Sequence, residues 1–362
     1  MAVTRSQVIE AFRWILGREP ESEDAIAWHL RHADIHALRV SLLNSHEFRE
    51  AHQRLLEYIN PMLLVSTTLA LWLLDLDSGQ AWQIDAGRGA YCGVSFDQDR
   101  IYVACREVAY ARDRESQDNA ILCLDRKLRL VEVLRAPQPI RDVHQIFCHR
   151  GTLFVCSTYD DAVMEYEVAR GTWNVWQPFP AEAKGLRDEH HINSIFVRDD
   201  MIVLAGSQPA GWFARFNRDR KPLENGRQLM GSMSHNVWLE DEEVCVCSSG
   251  EGTLTSTSGM RRLIHPRAWL RGLCRVGMQF YVGISQELHR SARAASDCSI
   301  VMVGGEGRLE RCYSFLGFGV ISDLRTLGIS DTTHNGISFT LDPGAIDSRF
   351  QKYETRSTLI DL

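Results

Sequence analysis

After Pro61 the chain repeats one pattern: a polar or small pair, a short apolar run, a turn of charged residues or glycine, then a second apolar run. Five segments carry it: YCGVSFDQDRIYVACR from Tyr91, VHQIFCHRGTLFVCST from Val143, HINSIFVRDDMIVLAG from His191, HNVWLEDEEVCVCSSG from His235 and RGLCRVGMQFYVGIS from Arg271. Apolar runs this short, cut by turn residues and rich in Val, Ile and Phe, read as strands. The starts lie 52, 48, 44 and 36 residues apart, which is room for a small sheet each. Sheets repeated at such a period bury their faces by stacking radially around an axis. The pattern predicts an all-β fold, a six-bladed β-propeller. Before Tyr91, LLVSTTLALWLLDLDSGQAWQID has strands for a blade but no first strand. A ring must close or leave an edge exposed, so GVISDLRTLG around Asp323 is expected to supply that strand. HNGISFTLD from His334 is the rival, and use of both segments would make seven blades.

Residues 1–58 differ. Val8, Ile9, Phe12, Ile15 and Leu16 lie on one helical face, and Gly17 is a stop signal. Ile26, Leu30, Leu38, Leu42 and Leu43 continue the helical period. The expected order is a small helical accessory domain over 1–58, the propeller over 59–330, and a C-terminal extension over 331–362 that could contribute a closing strand. A net charge of −7 and a pI near 6.0 leave no electrostatic footprint for nucleic acid or for an acidic membrane surface. The longest apolar run, Met62 to Leu74, is too short to cross a bilayer. The N-terminus lacks the basic-then-apolar order of a secretion signal. Ten cysteines without metal or redox spacing suit a reduced, cytoplasmic protein.

In a propeller the first strand of each blade lines the axis, and its start lies at one mouth. His144, His191 and His235 occupy that equivalent point in three successive blades. Converging imidazoles predict a divalent transition metal (Zn, Mn, Fe, Ni or Cu), because such ions take neutral nitrogen ligands. Arg271 holds the same register one blade on, where its planar fork suits an anionic substrate group. Asn193 and Gln145 add neutral polar groups, and Asp142 and Asp188 stand where they could orient the imidazoles. His190 competes with His191 for the axis, since neighbours on a strand face opposite ways; the match between His191-Ile192-Asn193 and His235-Asn236 favours His191. Cys92 also starts a first strand, but no base is identifiable beside it.

Two resemblances add to this. The ordered blocks DVHQI, HHINSI, MSHNVW with SSGEGTL, WLRGLC with YVGIS, and ISDLRTLG resemble a bacterial family of conserved hypothetical β-propellers. That family carries Asp-x-His, Cys-His-Leu-Asn-Gly, Pro-His-Ser-Pro-Arg, Arg-Gly-Leu and closing Asp-Val blocks. The resemblance spans roughly residues 63–328 and implies His144, His191, Asn193, His235 and Arg271 as the channel set. His190 stands where the family has cysteine, and Asn236 and Val237 where it has serine and proline. AFRWILGREPES followed by LRVSLLNSHEF is similar to a helical module attached to some bacterial glycosyltransferases, which implies a docking role.

Two functions are expected from these residues. One is a metal-dependent lyase or hydrolase acting at the histidine-lined funnel on an anionic sugar, lactone or peptide, with Arg271 and Asn193 in catalytic positions. The other is a non-catalytic module that recognises a glycan or peptide of a surface-polysaccharide or peptide-modification system, with a protein partner docked through the helical domain.

Overall fold

The computed structural model divides the chain into two compact units, residues 1–60 and 61–362. The structure describes residues 3–43, 45–48, 62–107, 113–179, 187–240, 242–266, 268–277, 279–304 and 307–359. In the first unit, helices Arg5–Ala11, Glu23–His29 and Ile35–Leu43 enclose Val8, Phe12, Ile26, Leu38 and Leu42. Thr4 opens the first helix with a reciprocal cap: its hydroxyl accepts from Gln7 N at 3.3 Å and its own N–H donates to Gln7 Oε1 at 2.9 Å. A widened π turn, Phe12–Leu16, follows and ends at Gly17, whose φ of 70° is the left-handed stop the sequence predicts. The part of the expected module beyond residue 48 lies outside the described residues.

The second unit is a six-bladed β-propeller made of six antiparallel sheets. Blades 2 to 5 have four strands each and begin with Ala90–Phe96, Val143–His149, Ile192–Val197 and Ser234–Glu240; blade 6 begins with Ala268–Val276. These starts fall within a few residues of the five repeats. The opening strands are buried along nearly their whole length because they are covered by neighbours on both faces. Together with Ile321–Leu327 they touch one another in a closed ring. Contact is close enough to dictate residue type: a Cβ on Gly93 would sit 2.5 Å from Ile146 N and 2.7 Å from His144 O of the next blade. Trp72, Trp212 and Trp238 fill the space between sheets.

Closure follows the first of the two expected routes. Ile321–Leu327 pairs antiparallel with Met62–Thr67, with Arg325 opposite Leu64, and becomes the innermost strand of blade 1. The rival segment does not close the ring, and the described residues form no seventh blade. His334 instead ends a single tight turn, Thr332–His334, that blocks the channel at the end away from the strand starts. Its anchors come from several blades: Thr333 Oγ1 donates to Leu273 O, Asn335 Nδ2 donates to Val197 O, and His334 Nε2 lies 2.8 Å from Ser95 Oγ. The extension then adds outer strands, Gln351–Glu354 beside blade 1 and Arg356–Leu359 beside blade 6.

The last two strands therefore clasp the rim at the same seam that Ile321–Leu327 closes at the axis. Tyr353 stacks on Phe315 at 6.1 Å and packs against Trp72 at 5.6 Å. Truncation after Asp347 is expected to lower the melting temperature by roughly 3–6 °C, from losing about 2 kcal/mol of aromatic burial, while the sheet content by circular dichroism stays intact. An unchanged melting temperature would show that the rim clasp contributes nothing. The ten cysteines are free thiols, and all but Cys312 are buried. Among the described residues no helix is long and apolar enough to cross a membrane.

Candidate functional site

Backbone irregularity explains why polar side chains reach the channel from such buried strands. Each opening strand slips its register once near its start: between Tyr91 and Val94, Val143 and Ile146, Ile192 and Ser194, His235 and Trp238, and Leu270 and Leu273. A bulge frees a residue from pairing and re-aims its side chain. Within the slips lie Cys92, His144, Gln145, Asn193, Asn236 and Arg271. Strain gathers here too. Ten non-glycine residues among those described have positive φ, and five of them (Asp142, Asp188, His191, Met233 and Asn236) sit at these starts, at 48–59°. Such conformations cost on the order of 1 kcal/mol each and persist where the surroundings over-determine them.

Side chains of one blade hold the backbone of the next. Asp323 Oδ2 accepts from Val94 N, Ser95 Oγ from Cys148 N, Gln145 Oε1 from Ile195 N, Ser194 Oγ from Asn236 N, and Asn236 Oδ1 from Gly272 N, all at 2.7–3.0 Å. The ring of bonds fixes the angular position of each strand start and leaves other polar atoms for a ligand.

Those atoms surround a cavity lined by Cys92, Arg106, His144, Gln145, Asn193, His235, Asn236 and Arg271, with about 30 Å3 of free space. The charged side chains of its lining are both arginines. Arg106 is buried, donates to Val143 O at 2.9 Å and pairs with Asp142 at 3.0 Å. Arg114 bridges Asp142 at 3.1 Å and Asp188 at 2.6 Å. The Arg271 guanidinium lies 5.3 Å from the Trp269 ring centre. Burial, together with Arg106 and Arg271, holds His144 well below the usual histidine pKa; burial and then Arg271 do the same to His235. Burial alone would raise Asp142, but Arg106, His191 and Arg114 outweigh it, so its carboxyl stays ionised.

The tautomer of His235 follows from its neighbours. Its Nδ1 faces Met233 O at 2.8 Å and Ser249 Oγ at 3.1 Å. Ser249 already donates its hydrogen to Leu270 O at 2.6 Å, so both neighbours accept and Nδ1 carries the proton. The lone pair is left on Nε2, which is buried without a hydrogen-bond partner. Asn193 resembles it: Oδ1 accepts from Ser194 Oγ at 2.7 Å, while Nδ2 is buried without a partner. His191 donates from Nδ1 to Asp188 Oδ1 at 2.6 Å.

The three expected histidines do cluster. His144 lies 5.5 Å from His191 and 6.0 Å from His235, centre to centre. His144, Asn193, His235 and Arg271 line the cavity, whereas His191 packs beside it on His144. His190 turns to the outer side, 4.8 Å from the Phe179 ring. Asp188 orients His191 as expected; Asp142 lies 3.9 Å from His144 and serves the arginines instead. Burial pushes the Cys92 thiol up, which removes it as a nucleophile.

As a metal site the set is incomplete. Neutral imidazoles suit a transition metal, and the outer bonds of His191 and His235 are those of metal-bound histidines. However, among the described residues no three His, Cys, Asp or Glu side chains are grouped to hold one ion. Asp142 and Asp188 are engaged by Arg106 and Arg114, and two arginines beside the cavity repel a cation. The metal ligands expected at His144, His191 and His235 are thus close together without forming a coordination set.

Arg106 and Arg114 went unnoticed in the sequence. Arg106 had one signal, a charge ending the wholly buried strand Ile101–Arg106.

Fold and site define a six-bladed propeller with a polar, arginine-bearing channel mouth. No protein-family model matches the chain, and no curated protein matches it. Solved structures do resemble it. The nidogen/laminin complex structure shares 11% identity over 74% of this chain and 98% of the other, with a TM-score of 0.53. A Bacteroides caccae protein of unknown function shares 12% identity over 74% and 98%, with a TM-score of 0.52. A presumptive 6-phosphogluconolactonase from Bacteroides uniformis, 10% identical over 74% and 99%, has a TM-score of 0.48, too low to carry an argument. At these identities the likeness extends to the fold alone.

Proposed function

We propose that the channel mouth binds a small carboxylate-bearing molecule and that its neutral imidazoles move a proton on it, as in hydrolysis of a sugar-diacid lactone that keeps one free carboxylate or elimination from an acid sugar. One observation carries this reading: His235 is held neutral with Nε2 unpartnered, in a cavity whose charged lining residues are Arg106 and Arg271. The arginines attract the anion; a neutral imidazole serves as general base. For a lactone, an imidazole takes a proton from water as its oxygen adds to the carbonyl carbon. The ring C–O bond then breaks, and the departing alkoxide takes the proton back. The resemblance to the bacterial propeller family supports the location, because its blocks fall on the same strand starts.

Calorimetry against a panel of aldonic acids, uronic acids and their lactones tests the reading, with pH-stat detection of turnover. Arg271→Ala is expected to weaken carboxylate binding about 10–100-fold, the loss of one charge-assisted contact. Binding unaffected by that variant would overturn the anion reading. Binding that appears only after Zn or Mn is added to chelator-treated protein would favour the metal reading. Tight binding with no turnover of any panel member would assign the site to recognition.

A further inference from the structure

The mouth has an asymmetric set of free groups, and that asymmetry narrows the ligand beyond the anion reading on which it rests. Asn236 is saturated: Oδ1 accepts from Gly272 N, and Nδ2 donates to Asp323 Oδ1 at 3.2 Å. Ser194 is saturated by Asn193 and Asn236 N. Asn193 Nδ2, a donor, remains beside the arginines; opposite in kind stands His235 Nε2, an acceptor. A bare carboxylate offers acceptors only, so it would satisfy Asn193 and leave the His235 lone pair buried and unmet. Burying an unpaired polar atom against a ligand that cannot pair it is a strong source of rejection.

We propose that the ligand enters with a 2-hydroxycarboxylate head group, its carboxylate toward Arg271 and Asn193 Nδ2 and its hydroxyl donating to His235 Nε2. His235 is then the specificity-determining residue, and the Met233 carbonyl, set by that residue's φ of 52°, is what selects the accepting tautomer.

The test uses glycolate and acetate, which differ by that hydroxyl, titrated into the full chain by NMR. Glycolate is expected to bind at least about tenfold tighter than acetate. His235→Asn keeps a donor for the Met233 carbonyl but has no acceptor at the Nε2 position; it is expected to bind both acids equally, at the acetate level. Equal binding by the unmodified protein, or a preference that survives in His235→Asn, overturns this inference and leaves the anion reading standing. If neither acid binds, or if Arg271→Ala weakens neither, both fail together.

Discussion

Asp323→Ala is expected to destabilise the propeller by about 3–5 kcal/mol, near the upper end for one substitution. Asp323 is fully buried on the closing strand. Its Oδ2 accepts from Val94 N of blade 2, and its Oδ1 accepts from Asn236 Nδ2 of blade 5 and pairs with Arg325 at 2.9 Å. One carboxyl thus ties the seam to two other blades across the channel. Alanine would leave Val94 N and Asn236 Nδ2 unmet and Arg325, 1% exposed, without its carboxylate. A melting temperature lowered by about 6–10 °C follows, at roughly 2 °C per kcal/mol for a domain of this size. Asp323→Asn keeps the shape and one acceptor and should lose less than half as much. A shift of under 2 °C for Asp323→Ala would show that strand pairing alone holds the ring closed.

The second large effect is acid sensitivity. His144, His235 and His334 are buried, and burial, with arginines beside each, keeps their pKa values well below the usual range. The unfolded chain takes up protons at these residues below about pH 6.5 while the folded chain does not, so stability is lost as the pH falls. Each contributes up to about 1.4 kcal/mol per pH unit. Asp323 acts the other way: burial raises its pKa to about 6, so the folded state gains a proton there first. Asp331, likewise raised by burial, adds to that offset. Between pH 7 and 5.5 the net loss is roughly 2–3 kcal/mol. Melting curves at the two values should differ by several degrees, and His334→Gln should flatten the dependence by about a third. A melting temperature that rises toward pH 5.5 would mean the carboxylates dominate.

Much of this site was legible in the sequence. A histidine before an apolar strand at three equivalent repeat positions already implied proximity, and His144 and His235 do line one cavity. Metal binding follows there from residue type and register, and neither says anything of the charge around the imidazoles. Arg106 ends a strand of blade 2 and His144 lies in the first strand of blade 3, yet both line one cavity; Arg114 lies in the loop before Asn119 and bridges two carboxylates from different blades. Nor could spacing reveal that Ser249 uses its hydrogen on Leu270 O, which is what settles the His235 tautomer.

The amino-acid order by itself determined the strand repeats and the boundary near residue 60, because hydrophobic period and turn residues are local properties that each sheet must satisfy wherever it packs. Only the tertiary structure decided that Ile321–Leu327, and not the segment from His334, closes the ring at six blades, and which side chains meet at the mouth. Protonation, tautomer and net charge at the mouth arise from groups that meet across blades through space, and a buried imidazole next to two guanidinium groups stays neutral.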